Sequence, residues 1–273
     1  MSSRISKVFK DLRLNKRSAF IPYITAGDPD IELSQMLLES LPLGGADIIE
    51  IGMPFSDPMA DGPSIQESSL RSLNNGHDMN KTLMMIERFR IKDKETPIVL
   101  MGYFNPILQF GVKSFINRCE EVGVDGLIVV DLPIEHSDEI CIPAQKSGID
   151  FINFITPTTN KERLKKILNV SSGFLYFVSI AGITGTKAPD NKIIEELIKN
   201  VKQNTDLPIG VGFGIKSSSQ VEEISNFSDA IVIGSAIVNK IDSLKIKNFD
   251  NDLIVKNMID FLSELSNPLK GMG

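Results

Sequence analysis

The sequence predicts a single-domain α/β protein folded as a (β/α)8 TIM barrel. Short apolar segments alternate with amphipathic segments along the 273 residues, and eight such pairs give about 34 residues per unit, close to the size of a βα repeat. No GxGxxG motif follows the first strand, which disfavours an open dinucleotide-binding sheet. No linker or low-complexity segment divides the chain. We therefore expect one domain over residues 1–273.

The candidate strands are short, apolar and often β-branched, as expected of parallel strands that are buried on both faces. They cover residues 20–25, 47–51, 98–101, 126–130, 151–155, 174–178, 209–211 and 230–233. Helical patterns cover residues 31–41, 81–90, 112–121, 135–146, 161–168, 191–203, 218–224 and 253–265. We expect residues 1–16 to form an N-terminal helix that closes the bottom of the barrel, and the tail 268–273 to fray.

The composition excludes several classes of protein. A hydrophobic content of 42% and a charged content of 23% argue against wholesale disorder. A net charge of -6 argues against a nucleic-acid-binding protein. No segment approaches the roughly 18 apolar residues of a membrane span, and residues 1–16 lack the apolar run of a signal peptide. Cys119 and Cys141 are expected to be reduced thiols on helices. The sequence predicts a cytoplasmic protein.

Glu50 is the first candidate for chemistry, because it interrupts the apolar run 48–51. A carboxylate there is costly unless it is paired or functional. Side chains alternate along a strand, so one of Ile49 and Glu50 points into the barrel. A charge that faces the helices would be hard to hydrate, so we expect Glu50 to point into the barrel, where active sites form at the strand C-termini. Partial burial would raise its pKa and suit it for acid-base work. The alternative is a buried structural ion pair. Asp61, in the same Pro/Gly-rich loop, is equally compatible with a helix cap and with a site residue.

Glycines at two further strand ends indicate a phosphate site. Gly212 and Gly214 follow the seventh strand and precede Lys216 and a helix, while Gly234 and Ser235 follow the eighth. Barrels often bind phosphate at these positions, through the N–H groups of a helix N-terminus. Tight turns without a ligand are the alternative. The small-residue segment 179–189 after the sixth strand is predicted to be a lid.

Absent motifs narrow the reaction. The sequence has two histidines, which are too few and too scattered for a His-rich zinc site, no predicted strand carries a lysine, and no GxSxG motif is present. We therefore expect no metal and no organic cofactor in this chain. The remaining interpretation is a barrel enzyme that uses carboxylates as acid and base on a small phosphorylated molecule.

The sequence also resembles a known family. The segments that carry the likeness are 20–29, 50–63, 101–106, 131–133, 182–185, 212–215 and 234–236, and residues 50–63 read E-x-G-x-P-F-S-D-P-x-A-D-G-P. In order and over the whole chain, they resemble the tryptophan synthase α chain. The resemblance implies a carbon–carbon lyase, which cleaves indole-3-glycerol phosphate to indole and glyceraldehyde 3-phosphate. It also implies a β chain that carries pyridoxal phosphate, an αββα heterotetramer, and a tunnel through which indole passes to the β chain.

The resemblance further implies roles for individual residues. Glu50 corresponds to the acid-base residue, Asp61 to the acceptor of the indole N–H, and Tyr176 to a tyrosine at the site. The expected substrate-binding residues are Tyr23, Ile65, Met101, Tyr103, Ile128, Thr184, Gly185, Gly212, Phe213, Gly214, Gly234 and Ser235. The expected β-facing residues are Pro54, Asp57, Phe104, Asn105, Pro106, Asp131 and Pro133. Ile180 departs from the family, because some members carry a lid arginine there.

Three rival interpretations remain at this stage. A different phosphate-binding barrel enzyme would keep the glycines of the last two strands but would need other residues after the second strand. A catalytically weak chain could act mainly as an activator of its β partner. An indole producer that works without a β chain would share every active-site residue, so only stimulation by a β chain would separate it.

Overall fold

A computed structural model describes residues 3–178, 191–212 and 214–270. Within them, nine parallel strands form one sheet in the order β5-β4-β3-β2-β1-β9-β8-β7-β6. The strands are β1 Ala19–Thr25, β2 Ile49–Gly52, β3 Ile98–Gly102, β4 Gly126–Val129, β5 Asp150–Phe151, β6 Asn153–Ile155, β7 Leu175–Val178, β8 Ile209–Gly212 and β9 Ala230–Ile233.

The sheet is a barrel, because its two end strands are adjacent in the chain. β5 pairs with β4 and β6 pairs with β7, and only Ile152 separates β5 from β6. The predicted fifth strand, 151–155, is therefore one strand position divided in two. The nine strands fill the eight predicted positions, and the TIM-barrel prediction is confirmed.

Helices surround the sheet. They are α1 Arg4–Leu14, α2 Ile31–Ser40, α3 Pro63–Asn74, α4 Met79–Lys92, α5 Phe104–Phe110, α6 Val112–Val122, α7 Asp138–Lys146, α8 Lys161–Val170, α9 Asn191–Lys202, α10 Ser218–Ser225, α11 Ser235–Ile246 and α12 Asn251–Lys270. Each predicted helical segment overlaps one of them. Helices α3, α5 and α11 were not predicted from the sequence. None of these helices is long enough to cross a membrane with an apolar surface, as far as the described residues extend.

The N-terminal helix closes the bottom of the barrel, as predicted. Ile5, Phe9 and Leu12 of α1 are buried among side chains that point into the barrel, and the rings of Phe9 and Phe174 lie 5.7 Å apart. At its N-terminus Arg4 forms a 2.6 Å ion pair with the buried Asp125. This end of the barrel is thus filled with apolar side chains and leaves the opposite end for a site.

The expected frayed tail is wrong for residues 268–270. Helix α12 continues through Pro268 to Lys270, and Leu269 is fully buried. Pro268 removes one backbone N–H donor from the last turns of the helix, but burial of Leu269 holds the last turn in place. In addition, the Ser266 hydroxyl donates a 3.1 Å hydrogen bond to the Gly44 carbonyl. Packing therefore outweighs the local helix-breaking signal.

Candidate active site

A cavity opens at the C-terminal ends of the strands. Its residues come from distant parts of the sequence: Tyr23, Glu50, Asp61, Ile65, Met101, Tyr176, Gly214, Ile215, Lys216, Val232, Gly234, Ser235 and Ala236. Carboxylates, tyrosines and apolar side chains therefore share one space with the strand-end glycines. This is the end of the barrel at which enzymes of this fold place their active sites.

Glu50 lies inside the barrel, between Tyr23 of β1 and Val99 of β3. Its neighbours Ile49 and Ile51 face the other way and pack in the core between the sheet and the helices. Glu50 is 2% exposed, and its Oε2 atom has no hydrogen-bond partner among the described residues. Burial, and to a lesser degree the charge of Asp61, raise the pKa of Glu50 to about 8. Glu50 forms no ion pair with any of the residues that the structure describes, and its carboxylic acid lines the cavity.

Asp61 lies at the end of the loop between β2 and α3, opposite Glu50. The N-cap of α3 is Gly62, so the side chain of Asp61 does not cap this helix. Instead, Asp61 Oδ2 accepts a 3.0 Å hydrogen bond from the Tyr103 hydroxyl, which itself accepts one of 3.1 Å from the Ala60 N–H. Burial raises the pKa of Asp61 to about 6, and the bond from Tyr103 opposes this rise. Near neutral pH the Asp61 carboxylate is therefore mainly ionised.

Two other tyrosines, Tyr23 and Tyr176, line the cavity with Glu50 and have buried hydroxyl groups. The Tyr23 hydroxyl lies 3.2 Å from Thr25 Oγ1, which lies 2.6 Å from Ser68 Oγ on α3. The hydroxyls of Tyr23 and Tyr176 occupy space that only glycine leaves open, since a Cβ atom at Gly52 or Gly212 would lie within 2.3 Å of them. Burial raises the pKa of both phenols, so they stay protonated and can donate hydrogen bonds.

The opposite wall of the cavity is formed by the ends of β8 and β9. Gly214 has φ +74, a conformation that favours glycine and turns the chain away from the sheet. Helix α11 begins at Ser235, and no side chain caps it at Gly234. Uncapped N–H groups at a helix N-terminus attract anions. These are the strand ends at which the sequence predicts a phosphate site, and that site stays a prediction here.

Comparison with known proteins decides the family. The family model of the tryptophan synthase alpha chain matches residues 9–266. This chain belongs to the tryptophan synthase alpha chain family. Membership confirms the role implied by the resemblance, which is that of the α subunit in tryptophan synthesis and a lyase that cleaves indole-3-glycerol phosphate. It also implies a β-chain partner.

Solved structures agree with this assignment. The tryptophan synthase alpha chain from Legionella pneumophila subsp. pneumophila is 36% identical, with a TM-score of 0.91 over 100% of this chain and 99% of that chain. The subunit alpha from Legionella pneumophila str. Paris is also 36% identical, with a TM-score of 0.92 over 99% of both chains. Tryptophan synthase from M. tuberculosis in an aminoacrylate-bound form is 30% identical, with a TM-score of 0.86 over 98% of this chain and 99% of that chain.

The structure places most of the expected tryptophan synthase site residues together. Glu50, Asp61, Tyr176, Tyr23, Ile65, Met101, Gly214, Gly234 and Ser235 line the cavity. Tyr103 contacts Asp61 behind the cavity wall, Gly212 makes room for Tyr176, and Ile128 is buried deeper in the barrel beside Met101. Thr184, Gly185 and Phe213, together with the expected lid 179–189, lie outside the described residues.

Two features of the site were missed from sequence. Tyr103 was expected only as a substrate-binding residue, but its hydroxyl also donates a hydrogen bond to Asp61. Lys216 was noted only as the start of a helix, but it lines the cavity. Its position two residues after the Gly212–Gly214 pair, at the end of a strand, is the signal that could have revealed it. No group of three or more histidine, cysteine, aspartate or glutamate side chains suited to a metal ion occurs within the described residues.

The expected β-facing residues form a partly exposed surface on the loops after β2 and β4 and on the first turn of α5, which follows β3. Asp131 Oδ1 accepts a 2.7 Å hydrogen bond from the Phe104 N–H, so Asp131 caps α5 as well as facing outward. Nearby, the apolar side chains of Met59 and Leu108 are 74% and 51% exposed. This surface adjoins the cavity, since Asp61 lies in the loop after β2 and Tyr103 directly precedes α5.

Proposed function

We propose that Glu50 is the general acid and base of the lyase reaction and that Asp61 stabilises the charge on the indole nitrogen. The observation that carries this assignment is the pair of opposite protonation states in one cavity. Glu50, with a pKa of about 8, holds a proton at neutral pH, whereas Asp61, with a pKa of about 6, is mainly ionised. Environments that separate the pKa values of two carboxyl groups in this way are typical of acid-base pairs.

The reaction begins with protonation of the ring. The neutral Glu50 carboxyl gives its proton to C3 of the indole, and the ring becomes an indolenine cation that keeps its N–H. The Asp61 carboxylate accepts a hydrogen bond from this N–H, and the bond strengthens as positive charge develops on the nitrogen. An interaction that is stronger in the transition state than in the bound substrate accelerates the step.

Cleavage then restores both groups. The Glu50 carboxylate removes the proton of the hydroxyl on the glycerol carbon that is bonded to C3. The carbon–carbon bond breaks, its electron pair returns to the ring to give neutral indole, and the glycerol carbon becomes the aldehyde of glyceraldehyde 3-phosphate. Glu50 is protonated again at the end. No net proton is taken up or released.

The remaining site residues position the substrate in this proposal. Tyr23, Ile65 and Met101 would surround the apolar ring, and the uncapped N-terminus of α11 would receive the phosphate. Tyr176 would donate a hydrogen bond to the substrate from its protonated hydroxyl. The expected Thr184 and Gly185 contacts belong to the same proposal.

We also propose that the loops after β2 and β4 and helix α5 after β3 bind the β chain in an αββα heterotetramer. Exposed Met59 and Leu108 beside Pro54, Phe104 and Pro106 supply the apolar surface that such a contact needs. Indole released near Asp61 would leave through this face. Pyridoxal phosphate would belong to the β chain, and this chain would work without an organic cofactor.

Both proposals are tested by measuring indole release from indole-3-glycerol phosphate by the purified chain, first alone and then with a β chain. We expect slow release alone and a strong increase with the β chain. Glu50→Gln keeps the shape of the side chain but cannot give up and take back a proton. Turnover should therefore fall by roughly 10²–10⁴-fold, the contribution that general acid-base catalysis makes. Substrate binding, measured by calorimetry, should survive.

The matched control is Glu67→Gln, which removes an exposed carboxylate from α3 outside the cavity. It should release indole at the wild-type rate. If Glu50→Gln retained most of the activity, the acid-base assignment would be wrong. If the wild-type rate did not respond to a β chain, the proposed complex would be wrong while the lyase activity stood.

A further inference from the structure

The cavity poses an electrostatic problem for a phosphorylated substrate. Two carboxyl groups line it, and the whole chain carries a net charge of -6. A phosphate group would bring a charge of about -1.5 to -2 at pH 7 into this space. Of the described residues that line the cavity, only Lys216 is positively charged. It also lies on the same wall as Gly214, Gly234 and Ser235.

Local structure holds Lys216 at this position. The left-handed Gly214 turns the chain at the end of β8, and Ile215 is buried and anchors the turn. The Lys216 N–H donates a 2.8 Å hydrogen bond to Gln220 Oε1. The backbone of Lys216 is thus held from both sides, and Lys216 is an exposed residue that lines the cavity.

The ammonium group is available for a ligand. Lys216 is exposed, and no ion pair of Lys216 with a carboxylate is found in the described part of the chain. By contrast, Lys202 and Lys245, at other points of the barrel surface, pair with Asp229 and Asp30 at 2.9 Å. A lysine that lines a cavity without a carboxylate partner, next to an uncapped helix N-terminus, is suited to an anion.

We propose that Lys216 binds the phosphate group of the substrate and makes the site selective for a phosphorylated over a neutral indole compound. The N–H groups of α11 provide hydrogen bonds, and Lys216 provides the full positive charge. The inference rests on the proposed function, whose substrate is indole-3-glycerol phosphate. Lys216 takes no part in proton transfer and acts in binding alone.

The first test is the kinetics of Lys216→Gln on indole-3-glycerol phosphate, with the β chain present. We expect KM to rise about three- to tenfold, while kcat changes less than about twofold. This rise in KM is larger than loss of an exposed ion pair causes and smaller than loss of a hydrogen bond to a charged group causes. Lys216→Arg should restore most of the affinity. Added salt should reduce the difference between wild type and Lys216→Gln, because exposed charges are screened over about 8 Å at physiological ionic strength.

Two controls separate charge recognition from general damage. Lys256→Gln removes an exposed lysine from α12, a helix that does not line the cavity, and should leave KM unchanged. The KM for indole in the reverse reaction should be the same in wild type and Lys216→Gln, because indole carries no phosphate. An unchanged KM for indole-3-glycerol phosphate in Lys216→Gln, or an equal loss for indole, would refute the proposal.

A binding measurement keeps this test independent of the lyase assignment. Calorimetric titration with glycerol 3-phosphate should show weaker binding by about three- to tenfold in Lys216→Gln than in wild type. If the wild type released no indole but showed this loss, the proposed function would fail and the phosphate contact would stand. If the wild type cleaved the substrate and bound glycerol 3-phosphate no better than the variant, the Lys216 proposal alone would fail.

Discussion

Replacement of Tyr103 by phenylalanine tests whether the Tyr103 hydroxyl sets the ionisation of Asp61. The hydroxyl donates a 3.0 Å hydrogen bond to Asp61 Oδ2, and this bond lowers a pKa that burial has raised to about 6. Phenylalanine keeps the ring that packs 5.3 Å from Phe55 and removes only the hydroxyl, which also accepts a 3.1 Å hydrogen bond from the Ala60 N–H. At Asp61 itself, the variant removes one hydrogen bond.

The expected shift follows from the strength of that bond. A hydrogen bond to a charged group contributes about 1.5–3 kcal/mol, which corresponds to about one to two pKa units. Without it the pKa of Asp61 should rise from about 6 to about 7–8. The ionised fraction of Asp61 at pH 7 should then fall from about 90% to between about 10% and 50%.

The assay is the pH dependence of kcat/KM for indole-3-glycerol phosphate. In the wild type, activity needs ionised Asp61 and protonated Glu50, so it should be lost below about pH 6 and above about pH 8. In Tyr103→Phe the acidic limb should move upward by one to two units, about the shift worked out above, while the basic limb stays near its wild-type position.

The matched control is Tyr23→Phe, which removes a hydroxyl bonded to Thr25 and not to Asp61. Its acidic limb should stay at the wild-type pH, whatever happens to KM. An acidic limb that did not move in Tyr103→Phe, or that moved equally in Tyr23→Phe, would refute the assignment of that limb to Asp61 and of its position to Tyr103.

Two further predictions concern stability and leave the site intact. Asp125→Asn should lower the free energy of unfolding by about 3–5 kcal/mol, because Asp125 is 5% exposed and pairs with Arg4 at 2.6 Å and Arg90 at 2.7 Å. Urea denaturation measures this loss. A change below about 1 kcal/mol would contradict a buried ion pair. Leu269→Ala should cost about 2–5 kcal/mol because Leu269 is fully buried in α12. The exposed Leu253→Ala on the same helix is its control, and equal small losses would restore the frayed-tail interpretation.

The barrel was predictable because its signals are local. Each apolar segment such as 230–233 is buried on both faces, and its composition shows this without knowledge of its neighbours. The missed helices lack that local signal. Helix α3 buries serines such as Ser68 and Ser72 instead of an apolar stripe, and α5 has seven residues, too few for a periodic pattern. Their helical state depends on packing against the barrel.

The sequence by itself determined the fold class, the family and the candidacy of Glu50 and Asp61, because a charge within an apolar strand and a specific motif are visible in the linear order of residues. Only the tertiary structure decided what those groups can do. The proton on Glu50 depends on burial and on Asp61, and the charge on Asp61 depends on Tyr103, which lies 42 residues away in the chain. Lys216 lines the same cavity from the segment that follows β8. Such pKa values and charge balances arise from the distances between side chains, and folding alone brings those side chains together.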